Sequence, residues 1–225
     1  VRTRTLLIAA VALACGLGAV AAVVRTVPAE ATDEGLRFTV AGDSLTAGNG
    51  DAFPGSDDVP QLAWPRWADA EPDLVYAGGW AVSGATSTEI AAGVTARDAE
   101  VLVILAGTND FRDRVPLERE KRDLVAIANT VGAPGVVLLA LPPLDRLAGE
   151  GVVADWNVEL EAWAAEQGWS WVDPWRDHVA EGGAGYAWAD GASPDGIHPD
   201  LRVQEEVAAV VADAIRDTAA GLRTG

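Results

Sequence analysis

The sequence predicts an α/β fold built around a parallel sheet, and three observations carry that reading. Short runs rich in Val, Leu and Ile recur at Leu36–Ala41, Leu74–Ala77, Val101–Ala106 and Val136–Leu141, without sustained alternation of polar and apolar residues. Strands of that kind are buried on both faces, as in a sheet covered by helices. Helical periodicity fills most of the intervals between them, so strand and helix alternate along the chain. Four short polar segments then fall just behind strands or just ahead of the last helix, where open α/β sheets gather their sites.

Taken in order, the chain begins with a segment that stands apart from the fold. Arg2 and Arg4 precede an uncharged run from Thr5 to Val24, which Arg25 ends. Beyond Pro28, Ala29-Glu30-Ala31 is an A-x-A pattern suited to cleavage before Thr32. The apolar stretch Leu6–Val24 has 19 residues, longer than the usual signal core of about 7–15. It approaches the roughly 20 residues that span a bilayer. Residues 1–31 are therefore expected to be a signal peptide or an N-terminal membrane anchor, with attachment through residues 6–24, and 32–225 the exported domain. A lipoprotein reading at Cys15 fits less well, because the residues after it stay apolar.

The four apolar runs follow as strands, with Trp169–Val172 as a fifth. Helices are expected over Ser87–Ala99, Leu117–Thr130, Val152–Gln167 and Leu201–Ala220. In the last, Val203, Val207, Val210, Val211, Ala214 and Ile215 form a stripe at helical spacing. Gly168 reads as a C-terminal stop. The alternation implies right-handed crossovers. Two connections, Gly48–Pro65 and Arg176–Pro194, are longer than usual, and loops of that length inside a compact domain are often functional.

Composition narrows the chemistry. The 225 residues suit one domain, and 49% hydrophobic content supplies a core. A net charge of -18 argues against nucleic acid and anionic lipid as main partners, since both require a cationic surface. Cys15 is the only cysteine and lies in the N-terminal apolar run, so thiolate catalysis, an intrachain disulfide and a Cys-bearing zinc site are excluded from the domain. His178 and His198 are the only histidines, too few for a histidine-rich metal site. There is no G-x-G-x-x-G after a strand, no P-loop and no metal-ligand cluster, so no cofactor and no metal are expected.

Four segments carry the candidate chemistry. Gly42-Asp43-Ser44-Leu45-Thr46 follows the first strand, where a serine on a tight turn presents its hydroxyl beside a helix start. The same residues also fit an ordinary helix cap by Asp43 or Ser44. Ser83-Gly84-Ala85-Thr86 follows the second strand, and a glycine lets a backbone N–H approach a ligand closely, though a plain turn reads the same way. Gly107-Thr108-Asn109-Asp110 follows the third, where an Asn amide can donate to an oxyanion or simply shape a turn. In Asp195-Gly196-Ile197-His198-Pro199, an Asp three residues before a His can hold the imidazole Nδ1 and leave Nε2 free to accept a serine proton. Each piece alone is common, and the ordered set of four is not.

In that order the segments resemble the four sequence blocks of the SGNH (GDSL-type) hydrolases, over about Leu36 to Ile215. The first, third and fourth blocks match closely and the Gly84 block more loosely. The resemblance implies a three-layer α/β/α sandwich around a mostly parallel, flavodoxin-like sheet. It further implies an ester hydrolase with Ser44 as nucleophile, His198 as general base and then acid, and Asp195 as its orienting partner. The Ser44 and Gly84 backbone N–H groups and the Asn109 side chain would form the oxyanion hole. Two departures concern pocket shape: Gly79-Trp80-Ala81 stand where many relatives carry an Asn, and Arg202-Val203-Gln204 where a Gly often opens the last helix.

His178 lacks the D-x-x-H spacing and reads as a solvated loop histidine. Of the nine tryptophans, Trp64 and Trp188 lie on the two long loops and Trp67 just past the first, where aromatics line an acyl or sugar site or else pack beneath the loops. The function expected is an exported or cell-surface serine esterase acting on a small-molecule or polysaccharide ester, an acetylated carbohydrate or a short-chain lipid ester. An acyltransferase on the same triad and a non-catalytic binding module are the alternatives.

Overall fold

The structure is a computed structural model that describes residues 35–48, 63–144, 152–180 and 186–224. The segment 1–31 and parts of both long loops, 49–62 and 181–185, lie outside the described residues. Five strands form one sheet: β1 (Leu36–Gly42), β2 (Leu74–Ala81), β3 (Val101–Leu105), β4 (Gly135–Leu139) and β5 (Ser170–Val172). Their order is β2-β1-β3-β4-β5 and every pairing is parallel. Strand β1 lies in the interior of the sheet and the order reverses between β1 and β3, which puts the switch-point crevice at the carboxyl ends of those two strands.

Both faces are covered, as the non-alternating strands require. Val101, Val103 and Leu105 of β3 point into one apolar layer with Phe38, Val40, Val137 and Leu139. That layer is closed by α2 (Trp64–Ala68) and α7 (Leu201–Leu222) through Val203, Val207, Val211 and Ile215. Leu102 and Ile104 point the other way, into a layer with α3 (Ser87–Gly93), α5 (Leu117–Val131) and α6 (Val152–Glu166). The result is the expected α/β/α sandwich. Val210 is the exception on the α7 stripe, 40% exposed on the outer face.

Three differences from the sequence reading have local causes. Strand β2 continues four residues past Ala77 because Gly78, at φ +81°, takes up an extra residue as a bulge between Phe38 and Val40 of β1. Thr39 Oγ1 donates to the Gly78 carbonyl at 2.6 Å and holds the bulge in place. Helix α3 stops at Gly93, six residues early, where the backbone lies so close to the Trp80 indole that a Cβ would collide with it. Short helices α1 (Ser44–Ala47), α2 and α4 (Thr108–Asp113) form where the sequence marks a helix start at Ser44 and otherwise only turns or loop. They are too brief to show a period, and two of them carry the site.

Candidate active site

Strand β1 delivers its last residue, Gly42, into a space where a Cβ would strike Thr46 Oγ1, so the chain turns at once into α1. Asp43 caps that turn by accepting the Leu45 N–H at 3.0 Å. Ser44 follows at the first helical position, 8% exposed, and among the described residues no group accepts its N–H.

The last block approaches from before α7. Asp195 Oδ1 accepts the N–H groups of Ile197 and His198 at 2.9 and 2.7 Å, an Asx turn that curls the segment around Gly196 at φ +77°. Ser193 Oγ accepts the Gly196 N–H at 3.0 Å and donates to the His198 carbonyl at 2.6 Å. Asp200 then caps α7 through the Val203 N–H at 2.8 Å. The imidazole thus leaves a segment fixed at both ends. His198 Nδ1 lies 2.8 Å from Asp195 Oδ2, and Nε2 lies 2.8 Å from Ser44 Oγ. A carboxylate only accepts, so Nδ1 carries the ring proton and Nε2 accepts from the serine hydroxyl. A continuous line of hydrogen bonds runs from hydroxyl to carboxylate across 154 residues of sequence.

Gly84 and Asn109 reach the same place by a different route. Gly84 sits at φ +83° on the turn after β2, and among the described residues nothing accepts its N–H. Asn109, in α4 behind Gly107 at φ +119°, is 5% exposed. Its Nδ2 donates to the Ala85 carbonyl at 2.9 Å and to Asp43 Oδ2 at 3.1 Å. The side chain therefore bridges the residue after Gly84 and the residue before Ser44.

Charge is distributed unevenly around this line. Burial alone would raise Asp195, but the His198 imidazole and the His198 and Ile197 N–H groups outweigh it and hold its pKa down at about 2. Asp43 is fully buried, and desolvation lifts it to about 7 against the pull of the Leu45 N–H and His198. Asp110 is also raised by burial, although it accepts from Ser87 N and Oγ and so ties α4 to the start of α3. Glu120, buried beneath Gly107, is raised well above its ordinary value by desolvation and accepts from Trp156 Nε1 at 2.9 Å. Sequence reading passed over Asp110 and Glu120 and saw in Asp43 only a cap. Nothing in a sequence of exposed-type residues signals that these acids are interior.

The remaining candidates lie elsewhere. Trp64 and Trp188 belong to the buried layer under α7, 0% and 7% exposed, and Trp67 is half-buried against the same layer. Trp188 packs edge-on against Trp175 at 5.6 Å, so the packing alternative describes this trio. His178 is buried rather than solvated, with Nε2 3.6 Å from Glu206 Oε2 on α7. Among the described residues no group of three or more His, Cys, Asp or Glu is arranged to hold a metal ion, and no helix is long and apolar enough to cross a membrane.

The sequence model of the GDSL-like Lipase/Acylhydrolase family matches residues 40–220. The chain belongs to this family. It is by that membership an ester hydrolase, with a small-molecule ester as its kind of substrate. Solved structures of the same fold include a Bacteroides fragilis protein described as an acylhydrolase, with TM-score 0.63 and 21% identity over 81% of this chain and 88% of that one. A GDSL-like lipase from Bacteroides thetaiotaomicron superposes with TM-score 0.60 and 19% identity, covering 80% of this chain and 88% of the other. A serine-to-alanine variant of an acetyl esterase, crystallised with acetate, gives 0.59 and 14% over 83% and 99%. No curated protein sequence matches the hydrolase.

Proposed function

We propose that the hydrolase is a serine esterase of small acyl esters, acting through an acyl-enzyme on Ser44. The observation that carries this reading is the hydrogen-bonded line from Ser44 Oγ through His198 to Asp195. A serine hydroxyl is too weak a nucleophile unaided. With Nε2 at 2.8 Å it gives up its proton as Oγ attacks the acyl carbon, and Asp195, ionised across the working range, supports the imidazolium that forms. The same imidazolium protonates the departing alkoxide, leaving the acyl group on Ser44. Water then enters, loses a proton to His198 as it attacks the acyl carbon, and the acid leaves as Ser44 Oγ takes that proton back.

The oxyanion formed in each half-reaction takes the Ser44 and Gly84 N–H groups and the Asn109 amide. The two backbone donors have no other acceptor among the described residues, which supports this assignment. Acetyl esters are the favoured substrates, and the fold likeness to an acetyl esterase seen with acetate is in keeping with that preference. Residues 1–31 serve export, as a cleaved signal or as an anchor.

The test is hydrolysis of p-nitrophenyl esters of increasing acyl length by the protein from Thr32 and by its Ser44→Ala variant. Activity that peaks at acetate and vanishes in the variant supports the reading. A peak at long chains moves the substrate to lipid esters. Acyl release that falls while product acylation rises with added sugar makes the enzyme a transferase. Full activity in Ser44→Ala ends the serine mechanism.

A further inference from the structure

Asn109 has two amide hydrogens, and both are engaged. The Ala85 carbonyl can only accept, so Nδ2 and not Oδ1 must face it, and this 2.9 Å bond fixes the orientation of the amide. The other N–H reaches Asp43 Oδ2 at 3.1 Å, longer than the 2.7–2.9 Å or so usual for a charge-assisted bond. Asp43 Oδ1 meanwhile holds the Leu45 N–H of α1. The carboxylate stands between the turn that carries Ser44 and the side chain of Asn109, and the Ser44–His198–Asp195 line makes no use of it.

Resting on the serine-esterase reading above, we propose that Asp43 is a positioning residue of the oxyanion site. Its carboxylate holds the Asn109 amide beside Ser44 and shares that second N–H with the acyl oxygen as negative charge develops there.

Helix capping does not account for an aspartate here. A cap needs one acceptor oxygen, which a serine provides without burying a charge. Asp43 is 0% exposed, and burying a carboxylate is costly unless its partners require it. What the aspartate adds over serine is the second oxygen, and that oxygen meets Asn109. The groups acting on it are mixed: His198 draws it toward ionisation, Asp110 opposes, and Arg112 on α4 adds attraction. Burial lifts Asp43 to about 7, so its grip on Asn109 as a carboxylate is lost as the pH falls through that value.

The experiment compares Asp43→Ser, which keeps the cap and loses the reach to Asn109, with Asp43→Asn. Two readouts follow Ser44: p-nitrophenyl acetate hydrolysis and labelling by a fluorophosphonate, whose phosphonyl oxygen occupies the same oxyanion site. Asp43→Ser should lower kcat and the maximal labelling rate roughly 10–100-fold with KM within about twofold. Its melting temperature should equal or exceed the wild type's, since a buried charge has been removed. In an Asn109→Ala background the same substitution should cost less than about threefold, because the group it positions is gone. The fall of kcat through about pH 7 should become shallower, because the buried carboxyl that titrates there is gone.

Wild-type turnover and pH profile in Asp43→Ser, or losses that multiply fully in the double variant, overturn the proposal. If both Asp43 variants unfold, a wild-type kcat that does not fall as the pH drops through about 7 overturns it. Ser44→Ala with undiminished hydrolysis, or a wild type inert to both reagents, overturns instead the esterase reading on which this one rests. Ser44→Ala silent beside a fully active Asp43→Ser sinks the positioning role alone.

Discussion

Asp43 and Asp195 stand on opposite sides of the Ser44–His198 hydrogen bond, each on a tight turn and each accepting from backbone and side-chain donors. Asp43 takes the Leu45 N–H and the Asn109 amide in a fully buried site. Asp195 takes two N–H groups and the imidazole, with its side chain 42% exposed. The first is pushed up to about 7 by desolvation, and the second is held at about 2 by its hydrogen bonds in spite of burial. The same side chain is thus driven in opposite directions by water and by the number and charge of its donors. The partner of the base must stay ionised, and it is the one left at the surface. The partner of the oxyanion donor is placed where its charge is weakest, so it does not compete strongly with a developing oxyanion.

Removing the shared element, Ser44, breaks the comparison most completely. Ser44→Ala should reduce ester turnover by at least about 10,000-fold, as losing a triad member does elsewhere. Because Ser44 is small and its side chain bonds only to His198 among the described residues, the melting temperature should barely change. Turnover by stopped assay and a thermal melt on the same sample decide it. Asn109→Ala comes next and tests the Asp43 side alone. It should lower kcat by roughly 100–1000-fold with KM little altered. A loss under tenfold would mean that the backbone donors of Ser44 and Gly84 suffice.

Much of this arrangement was legible in the sequence, and the reason is local chemistry. The parallel sheet followed from strands such as Val101–Leu105, whose neighbouring side chains feed opposite layers and leave no polar face to read. Ser44, Asn109, Asp195 and His198 could be named because their segments stand in the order of the family's blocks, although a segment such as that of Ser44 or Asn109 alone also fits a cap or a turn. What escaped was set by packing. The Gly78 bulge lengthens β2 through a pairing with β1 that no window on β2 reveals. For Trp64 and Trp188, on loops in sequence, the packing alternative holds, because α7 offers them an apolar face formed 140 or so residues away from the first. The proton affinity of Asp43 depends on burial, which a capping motif does not encode.

The Asp43 side can also be tested through stability. Its folded pKa of about 7 lies above the unfolded value near 3.9, so between those two values the folded state keeps a proton that the unfolded state has lost. Stability therefore falls as pH rises from about 4 to 7 and levels off above that. The size is as much as about 4 kcal/mol on the order-of-magnitude conversion of pKa to free energy. Denaturant melts at pH 4, 5.5 and 8 should show Asp43→Ser gaining on the wild type with rising pH. A constant difference would mean that Asp43 stays ionised throughout, and the contrast with Asp195 would disappear.

The smallest effect belongs to Asp195, and its sign is opposite. Its folded pKa of about 2 lies below the unfolded value, so its stabilisation is full above about pH 4 and is lost as pH falls through 2. With 42% of the side chain exposed, solvent screening limits the contribution to about 1 kcal/mol or less. The wild type should exceed Asp195→Asn by that margin at pH 5 and by only a fraction of it at pH 2, measured by urea unfolding on matched samples. Using the difference between the two proteins cancels Asp43, which titrates alike in both, folded and unfolded. The ratio of the two pH effects then measures how much of the asymmetry around Ser44 comes from water, since an exposed carboxylate with good donors should move stability far less than a buried one with poor donors.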